Sequence, residues 1–147
     1  MSGLADYPHR RVLGTRWGDN DIYGHVNNVE FYALFDTLIN AWLIREGGLD
    51  IHGGPVIGLC AESHCRYHAP LAFPDDVVGG LRVAELGRSS VRYELAIAAA
   101  EDADPAATGW FVHVFVDRET RRPVPIEGRL RESLERLSGP AHAAPSR

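Results

Sequence analysis

The sequence predicts an α+β protein in which one long central helix is wrapped by an antiparallel β-sheet of about five strands. Three observations lead to this fold class. The chain has 147 residues, which suits one domain better than two. One segment after residue 27 repeats apolar side chains at helical spacing, and four later segments alternate with a period of two. We therefore expect a single domain over residues 1–137 and a flexible C-terminal tail over residues 138–147.

The first elements are a strand, a polar loop and a long helix. The strand is predicted at residues 9–17, and the loop at residues 18–28 is dense in the turn-forming residues Asp, Asn and Gly. Asn27 and Glu30, three residues apart, indicate a capping box at the start of the helix, and the Gly pair at 47–48 ends it. The apolar stripe of this helix consists of Phe31, Leu34, Phe35, Leu38, Ala41 and Trp42.

The remaining elements are mostly strands. They are predicted at residues 56–68, 76–86, 89–100 and 108–117, with a short charged helix at residues 127–137. A tight turn around Gly87 and Arg88 joins two of the strands into an antiparallel hairpin. The last strand is apolar on both faces, with Trp110 on one and Phe111 on the other. Both faces must be covered, and a second subunit is the simplest cover for the face that the helix leaves open.

Composition excludes several classes of function. Hydrophobic residues make up 45% and charged residues 24%, as in ordinary folded domains. The 20 acidic residues outnumber the 15 basic ones, giving a net charge of −5, so we expect no nucleic-acid partner. Every basic residue is Arg, which excludes a Lys Schiff base. Neither a signal peptide nor a membrane-spanning segment is apparent, so we expect no membrane partner.

The two cysteines point to a reducing compartment. Cys60 and Cys65 fall in a predicted strand at odd spacing, which places their side chains on opposite faces and makes a disulfide unexpected. A cytoplasmic location is the expectation. Cys60 also shares one predicted strand face with Glu62, His64 and His68. A strand sets such residues out along a line instead of converging them on one point, so we expect no metal.

The loop before the long helix carries the residues best suited to catalysis. The Asp21 carboxylate is able to act as a general base on water or to attack a carbonyl carbon itself. The N–H groups of the following helix start would polarise a carbonyl oxygen and hold a developing oxyanion. Three alternatives stay open. Asp, Asn and Gly are ordinary turn residues, Asp19 with Asp21 would suit Mg²⁺, and His25 would serve as a base or as a hydrogen-bonding residue of the loop.

This loop resembles the signature of a known family. Residues 16–32, R-W-G-D-N-D-I-Y-G-H-V-N-N-V-E-F-Y, are similar to the opening of hotdog-fold acyl-CoA thioesterases of the 4-hydroxybenzoyl-CoA thioesterase type. The segments L-G-R-S-S-V (86–91), Y-H-A-P (67–70), F-V-D (115–117) and R-P-V-P-I (122–126) extend the resemblance. It implies a hotdog fold, with the helix wrapped by a curled sheet, assembled as a homodimer or homotetramer with active sites between subunits.

The resemblance also implies roles for individual residues. Asp21 is the catalytic base or nucleophile, and the backbone N–H of Asn28 is the oxyanion donor, with Asn27 beside it. His25 and Asn27 hold the shape of the loop. No cofactor is implied. The residues expected to contact substrate or CoA are Tyr23, Gly24, Arg88, Ser89 and Ser90.

Two positions depart from the family pattern. Ile22 follows Asp21, where members that act on aromatic substrates often have Pro. The G-H-V-N-N form of the loop is closer to the fatty-acyl branch, which favours an alkyl chain. His68 stands where an apolar residue is more usual. Hotdog dehydratases and hydratases need a different motif that contains His with Asp or Glu, and this chain lacks it.

The predicted function is therefore acyl-CoA thioester hydrolysis. One alternative is a module that binds acyl-CoA or acyl-carrier-protein thioesters without catalysis. Another is a thioesterase acting on carrier proteins in a biosynthetic pathway, for which the Arg pairs at 10–11 and 121–122 are candidate docking residues. Such pairs are more often solvated surface.

Overall fold

Five antiparallel strands and two helices build the protein in the computed structural model, which describes residues 3–138. Strand β1 is His9–Leu13, and helix α1 is Asn28–Arg45. The strands after it are β2 (Val56–Tyr67), β3 (Val77–Leu86), β4 (Ser90–Ala98) and β5 (Pro105–Asp117), and helix α2 is Gly128–Arg136. The sheet order is β1-β3-β4-β5-β2, with every neighbouring pair antiparallel. The predicted α+β hotdog architecture is confirmed. The first strand is shorter than predicted, and a short 3₁₀ turn covers Trp17–Asp19. The predicted tail lies outside the described residues from position 139 onward.

Helix α1 packs its apolar side on the concave face of the sheet. Its buried residues are Phe31, Phe35, Leu38, Ile39 and Leu43. At its N-terminus the Asn27 side chain accepts the N–H of Val29, as expected of a cap. The predicted capping box is wrong in its second half. The carboxylate of Glu30 lies 3.3 Å from Arg16 Nη2, and the N–H of Asn27 donates to the carbonyl of Asp19.

The two faces of β5 have different surroundings. Phe111 and Phe115 are buried on the concave face under α1. Trp110, Val112 and Val114 stay half-buried on the convex face. The prediction that both faces of this strand are apolar is confirmed. That a second subunit covers the convex face stays a prediction.

A β-bulge in β2 corrects the prediction for the cysteines. Cys60 pairs opposite His113, whereas Glu62 pairs opposite Val112, so the bulge at Ala61 shifts the alternation by one residue. Cys60 and Cys65 therefore lie on the same face, and Cys60 does not share a face with Glu62. Both are free thiols. Within residues 3–138 there is no group of three or more His, Cys, Asp or Glu side chains placed to hold a metal. Nor is any helix in this range long and apolar enough to cross a bilayer.

Candidate active site

The loop between the 3₁₀ turn and α1 folds as a miniature hairpin. Asn20 and Val26 form an antiparallel bridge. Inside it, the N–H of Asp21 donates to the carbonyl of His25 at 2.9 Å, and the N–H of Gly24 donates to the carbonyl of Asp21 at 3.0 Å. Gly24 has a φ of +84°, a conformation that side chains other than glycine rarely adopt. The hairpin therefore presents Asp21 beside the start of α1.

Asp21 is half-buried, and among residues 3–138 its carboxylate is bound only by neutral donors. Its Oδ1 accepts the N–H of Tyr23 at 2.9 Å, and its Oδ2 lies 3.4 Å from Nδ2 of Asn27. No ion pair within residues 3–138 includes Asp21. Since each carboxylate oxygen has two lone pairs, Asp21 retains acceptor capacity for a water molecule or a substrate.

Asp19, the other acidic residue of the D-x-D pair, has a different environment. It is 4% exposed. Its Oδ2 accepts the backbone N–H of Arg16 at 2.7 Å, and its Oδ1 accepts Nε and Nη2 of Arg16 at 3.0 and 2.8 Å. Both carboxylate oxygens are thus bound to Arg16, which argues against a shared Mg²⁺ site with Asp21. Sequence reasoning missed this role of Arg16, although its spacing of three residues from Asp19 was visible.

The first turn of α1 offers a free donor next to the Asp21 carboxylate. The N–H of Val29 donates to the Asn27 side chain, and that of Glu30 donates to the Asn27 carbonyl. Among the described residues, the N–H of Asn28 has no hydrogen-bond acceptor. Asn28 is exposed, so this donor is available to a ligand.

Tyr67, at the end of β2, fixes this turn from the sheet side. Its hydroxyl donates to the carbonyl of Asn28 at 3.1 Å, and its ring lies edge-on to Phe31 with centroids 5.4 Å apart. Desolvation raises the pKa of Tyr67 to about 12. The hydroxyl therefore stays protonated and remains a donor. The resemblance of the segment Y-H-A-P (67–70) to the family does not indicate that contact.

His25 contributes to the loop through its backbone. Its carbonyl accepts the N–H of Asp21, and the next residue, Val26, donates its N–H to the carbonyl of Leu71 at 2.7 Å. The imidazole is exposed and lines an open cleft of about 570 Å³ whose other walls include Asp75 and Asp76. The role of this side chain remains a prediction.

The predicted substrate-binding residues fall into two groups, one in the loop and one after β3, which lie far apart within one chain. Arg88 and Ser89 lie in the turn between β3 and β4, and Ser90 is the first residue of β4. The loop that carries Asp21 packs near the opposite end of β3, since the N–H of Phe73, shortly before β3, donates to the Asn20 side chain at 3.0 Å. A ten-residue strand spans about 30 Å, so a single protomer does not bring Arg88 to Asp21. Tyr23 and Gly24 lie beside Asp21 and are exposed.

These features define a hotdog domain with a polar loop at the N-terminus of its long helix. The chain belongs to the thioesterase-like superfamily, whose sequence model matches residues 15–134. The protein is a thioesterase, and the family predicted from the loop motif is confirmed.

Three proteins are similar to this chain over most of its length. The solved structure of the PA5185 protein from Pseudomonas aeruginosa PAO1 is 53% identical, covers 95% of this chain and 97% of its own, and superimposes with a TM-score of 0.91. A thioesterase from Thermus thermophilus, solved in complex with coenzyme A and Zn, is 29% identical, with coverage of 97% and 100% and a TM-score of 0.73. The 1,4-dihydroxy-2-naphthoyl-CoA hydrolase of Synechococcus elongatus is 26% identical over 136 residues, 90% of this chain and 97% of that protein.

Proposed function

We propose that the protein hydrolyses acyl-CoA thioesters to a free carboxylic acid and CoA, with Asp21 as the base or nucleophile and the N–H of Asn28 as the oxyanion donor. One observation carries the proposal. The Asp21 carboxylate, which pairs with no cation in the described chain, lies beside a helix start whose first N–H has no acceptor there. A carboxylate and an oxyanion donor on adjacent elements are the minimum that acyl transfer needs.

Two routes are compatible with this geometry. In the first, Asp21 takes a proton from water while the water oxygen attacks the thioester carbon. The oxyanion is held by the N–H of Asn28, and the C–S bond then breaks as the sulfur receives the proton. In the second, Asp21 itself attacks, CoA thiolate leaves, and water hydrolyses the resulting anhydride. Both routes require an ionised Asp21 and a donor at the oxyanion.

Relatives support CoA as the carrier of the acyl group. The T. thermophilus structure contains coenzyme A, and the S. elongatus relative acts on an aromatic acyl-CoA. The loop form with Ile22 favours an alkyl chain instead. We therefore infer an acyl-CoA substrate and leave the choice between alkyl and aryl groups to a substrate panel. The free thiols of Cys60 and Cys65 fit a reducing cytoplasm.

We also infer a homo-oligomer built by pairing the edges of two β2 strands. Strand β2 has 12 residues, lies at the edge of the sheet and is exposed over most of its length, which is unusual for a stable monomer. Apolar side chains in the loop and in the first turn of α1 are also exposed, with Ile22 at 95% and Val29 at 66%. An isologous contact between these surfaces would cover both.

Antiparallel pairing of the two edges would also complete the site. Ser90 pairs opposite Val114, which pairs opposite Leu59, so the turn after β3 lies level with the first half of β2. The loop lies at the other end of β2, where Tyr67 contacts Asn28. A two-fold axis across β2 therefore brings the partner's turn towards the Asp21 of this chain.

A panel of alkyl and aryl CoA thioesters tests the function. Because Cys60 is an exposed free thiol, CoA release is followed by chromatography instead of a thiol-reactive dye. We expect turnover of at least one thioester and its near-complete loss in Asp21→Asn, with Asp6→Asn as the matched control at an exposed carboxylate. Full turnover by Asp21→Asn would refute the assigned roles. Binding of acyl-CoA without turnover would favour a non-catalytic module, and turnover of carrier-protein thioesters alone would favour the biosynthetic alternative.

A further inference from the structure

We propose that Asp19, held by Arg16, is a positioning residue that fixes both the Asp21 carboxylate and the free N–H at the start of α1. The inference rests on the proposed function and adds two residues to its machinery. Neither Asp19 nor Arg16 touches the reacting atoms in this proposal. Both act through the loop that Asp19 closes.

The carboxylate of Asp19 is bound through both of its oxygens. Three donors of Arg16 bind its carboxylate, at 2.7, 3.0 and 2.8 Å. The Asp19 side chain is only 5% exposed, whereas that of Arg16 is 74% exposed. A buried carboxylate without a paired cation is costly, so the fork of Arg16 is what allows Asp19 to be buried and charged. Lys lacks this fork and is a poor substitute.

Asp19 closes the loop through its backbone as well. Its carbonyl accepts the N–H of Asn27 at 2.8 Å, which joins the two ends of the segment that contains Asp21. Asn27 in turn lies 3.4 Å from the Asp21 carboxylate through its Nδ2 and caps Val29 through its Oδ1. The position of Asp19 thereby sets the residue that orients the carboxylate and begins the helix.

A second contact of Arg16 ties the same unit to α1. Its Nη2 lies 3.3 Å from Oε1 of Glu30, in the first turn of the helix. Glu30 is thus drawn away from the reciprocal capping contact with Asn27, whose N–H is left for Asp19. The loop and the helix start are held by one guanidinium, and a small displacement there would move base and oxyanion donor apart.

The experiment compares Asp19→Asn and Arg16→Lys with Glu94→Gln and Arg82→Lys. The second pair alters an ion pair of similar length on the convex face, where Arg82 Nε lies 2.7 Å from Glu94 Oε1. Two quantities are measured on the full-length protein. One is kcat and KM for the best thioester of the panel. The other is hydrogen exchange at the amides of Asp21, Gly24 and Asn27 by NMR.

We expect Asp19→Asn to lower kcat per folded molecule by about tenfold to a hundredfold while KM changes little, since a misplaced group loses rate more than binding. Exchange at the loop amides should accelerate, while the amides of β3 and β4 keep their rates. Arg16→Lys should show the same pattern in weaker form. The variants of Arg82 and Glu94 should match the wild type in both measurements.

Each other result is decisive. An unchanged kcat, or a kcat that falls without faster loop exchange, would overturn the positioning role and leave the proposed function standing. A wild-type protein that turns over no thioester would refute the proposed function, and loop exchange would still show whether Asp19 holds the loop. If Asp19→Asn does not fold, the kinetic and hydrogen-exchange measurements are made on Arg16→Lys, and the same outcomes decide.

Discussion

Asn27 Nδ2 lies 3.4 Å from the Oδ2 of Asp21, and the same Asn27 side chain accepts the N–H of Val29 through its Oδ1 at 3.0 Å. One side chain thus serves as the helix cap and as a neighbour of the candidate catalytic carboxylate. The two functions use different atoms of the amide and are therefore separable by mutation.

Asn27→Ala and Asn27→Ser should separate them. Alanine removes both functions, so we expect a loss of about 1 kcal/mol in the free energy of unfolding together with a lower kcat. Serine retains a cap oxygen but lacks the amide donor, so stability should be near that of the wild type while kcat falls as in the alanine variant. Urea denaturation and initial rates measure the two effects. A serine variant with wild-type kcat would show that the contact with Asp21 has no catalytic role.

A buried histidine should make stability depend on pH. His113 is 3% exposed, its Nδ1 lies 3.1 Å from the Tyr93 hydroxyl, and desolvation lowers its pKa from 6.5 to about 4. The unfolded chain binds a proton below about pH 6.5, whereas the folded chain does so only below about pH 4. The contribution of the neutral imidazole to the free energy of unfolding is therefore fully present above pH ~6.5. It is lost as the pH falls from about 6.5 to about 4.

The measurement is the free energy of unfolding in urea at two pH values. Between about pH 7.5 and about pH 5, His113 should account for a loss of about 2 kcal/mol. His113→Gln keeps a hydrogen-bonding side chain that does not titrate, and its stability should fall correspondingly less. Equal losses in the wild type and His113→Gln would show that other groups cause the pH dependence.

The sequence predicts much of this fold because its patterns are local. The apolar stripe from Phe31 to Trp42 and the turn at Gly87 depend on residues close in the chain, and the structure has a helix and a hairpin at these positions. The bulge at Ala61 interrupts the alternation of β2, and no residue type in the segment signals it. The predicted face of Cys60 is therefore wrong.

The site was predictable to a different degree. The motif identified Asp21 and the helix start, which are adjacent in sequence. The partner of Asp19 is only three residues away, but the same residue types in a loop also fit a metal site or an ordinary turn, so the motif alone does not select the contact with Arg16. The separation of Asp21 and Arg88 within one chain depends on the length and direction of β3, which a motif does not contain.

Tyr67→Phe tests how the sheet fixes the helix start. The change removes the bond of 3.1 Å to the Asn28 carbonyl and keeps the ring against Phe31. We expect a loss of up to about 1 kcal/mol in the free energy of unfolding, since the hydroxyl is partly exposed, and a several-fold lower kcat. Because the pKa of Tyr67 is raised to about 12, the pH–rate profile between pH ~5 and ~9 should keep its shape. A profile that loses one limb would instead assign Tyr67 a role in proton transfer.

Mixed oligomers test whether the site is shared between chains. Arg88 and Asp21 lie at opposite ends of β3, so we expect that the two residues of one chain serve different sites. Arg88→Ala alone should raise KM for an acyl-CoA more than for the same acyl group on pantetheine, which lacks the nucleotide. Asp21→Asn alone should be inactive. If the two chains carry different affinity tags, the hetero-oligomer with one variant in each can be purified.

If the site is shared between chains, one site of that hetero-oligomer carries both substitutions. The other site then combines an intact Asp21 from one chain with an intact Arg88 from its partner. We expect about half of the wild-type activity, with the wild-type KM, from a two-fold assembly of this kind. Sites contained in single chains would predict a different result: the only active site would carry Arg88→Ala, and the hetero-oligomer would show the raised KM of that variant. Measuring KM for the purified hetero-oligomer therefore distinguishes shared sites from sites within single chains, whatever the absolute rate.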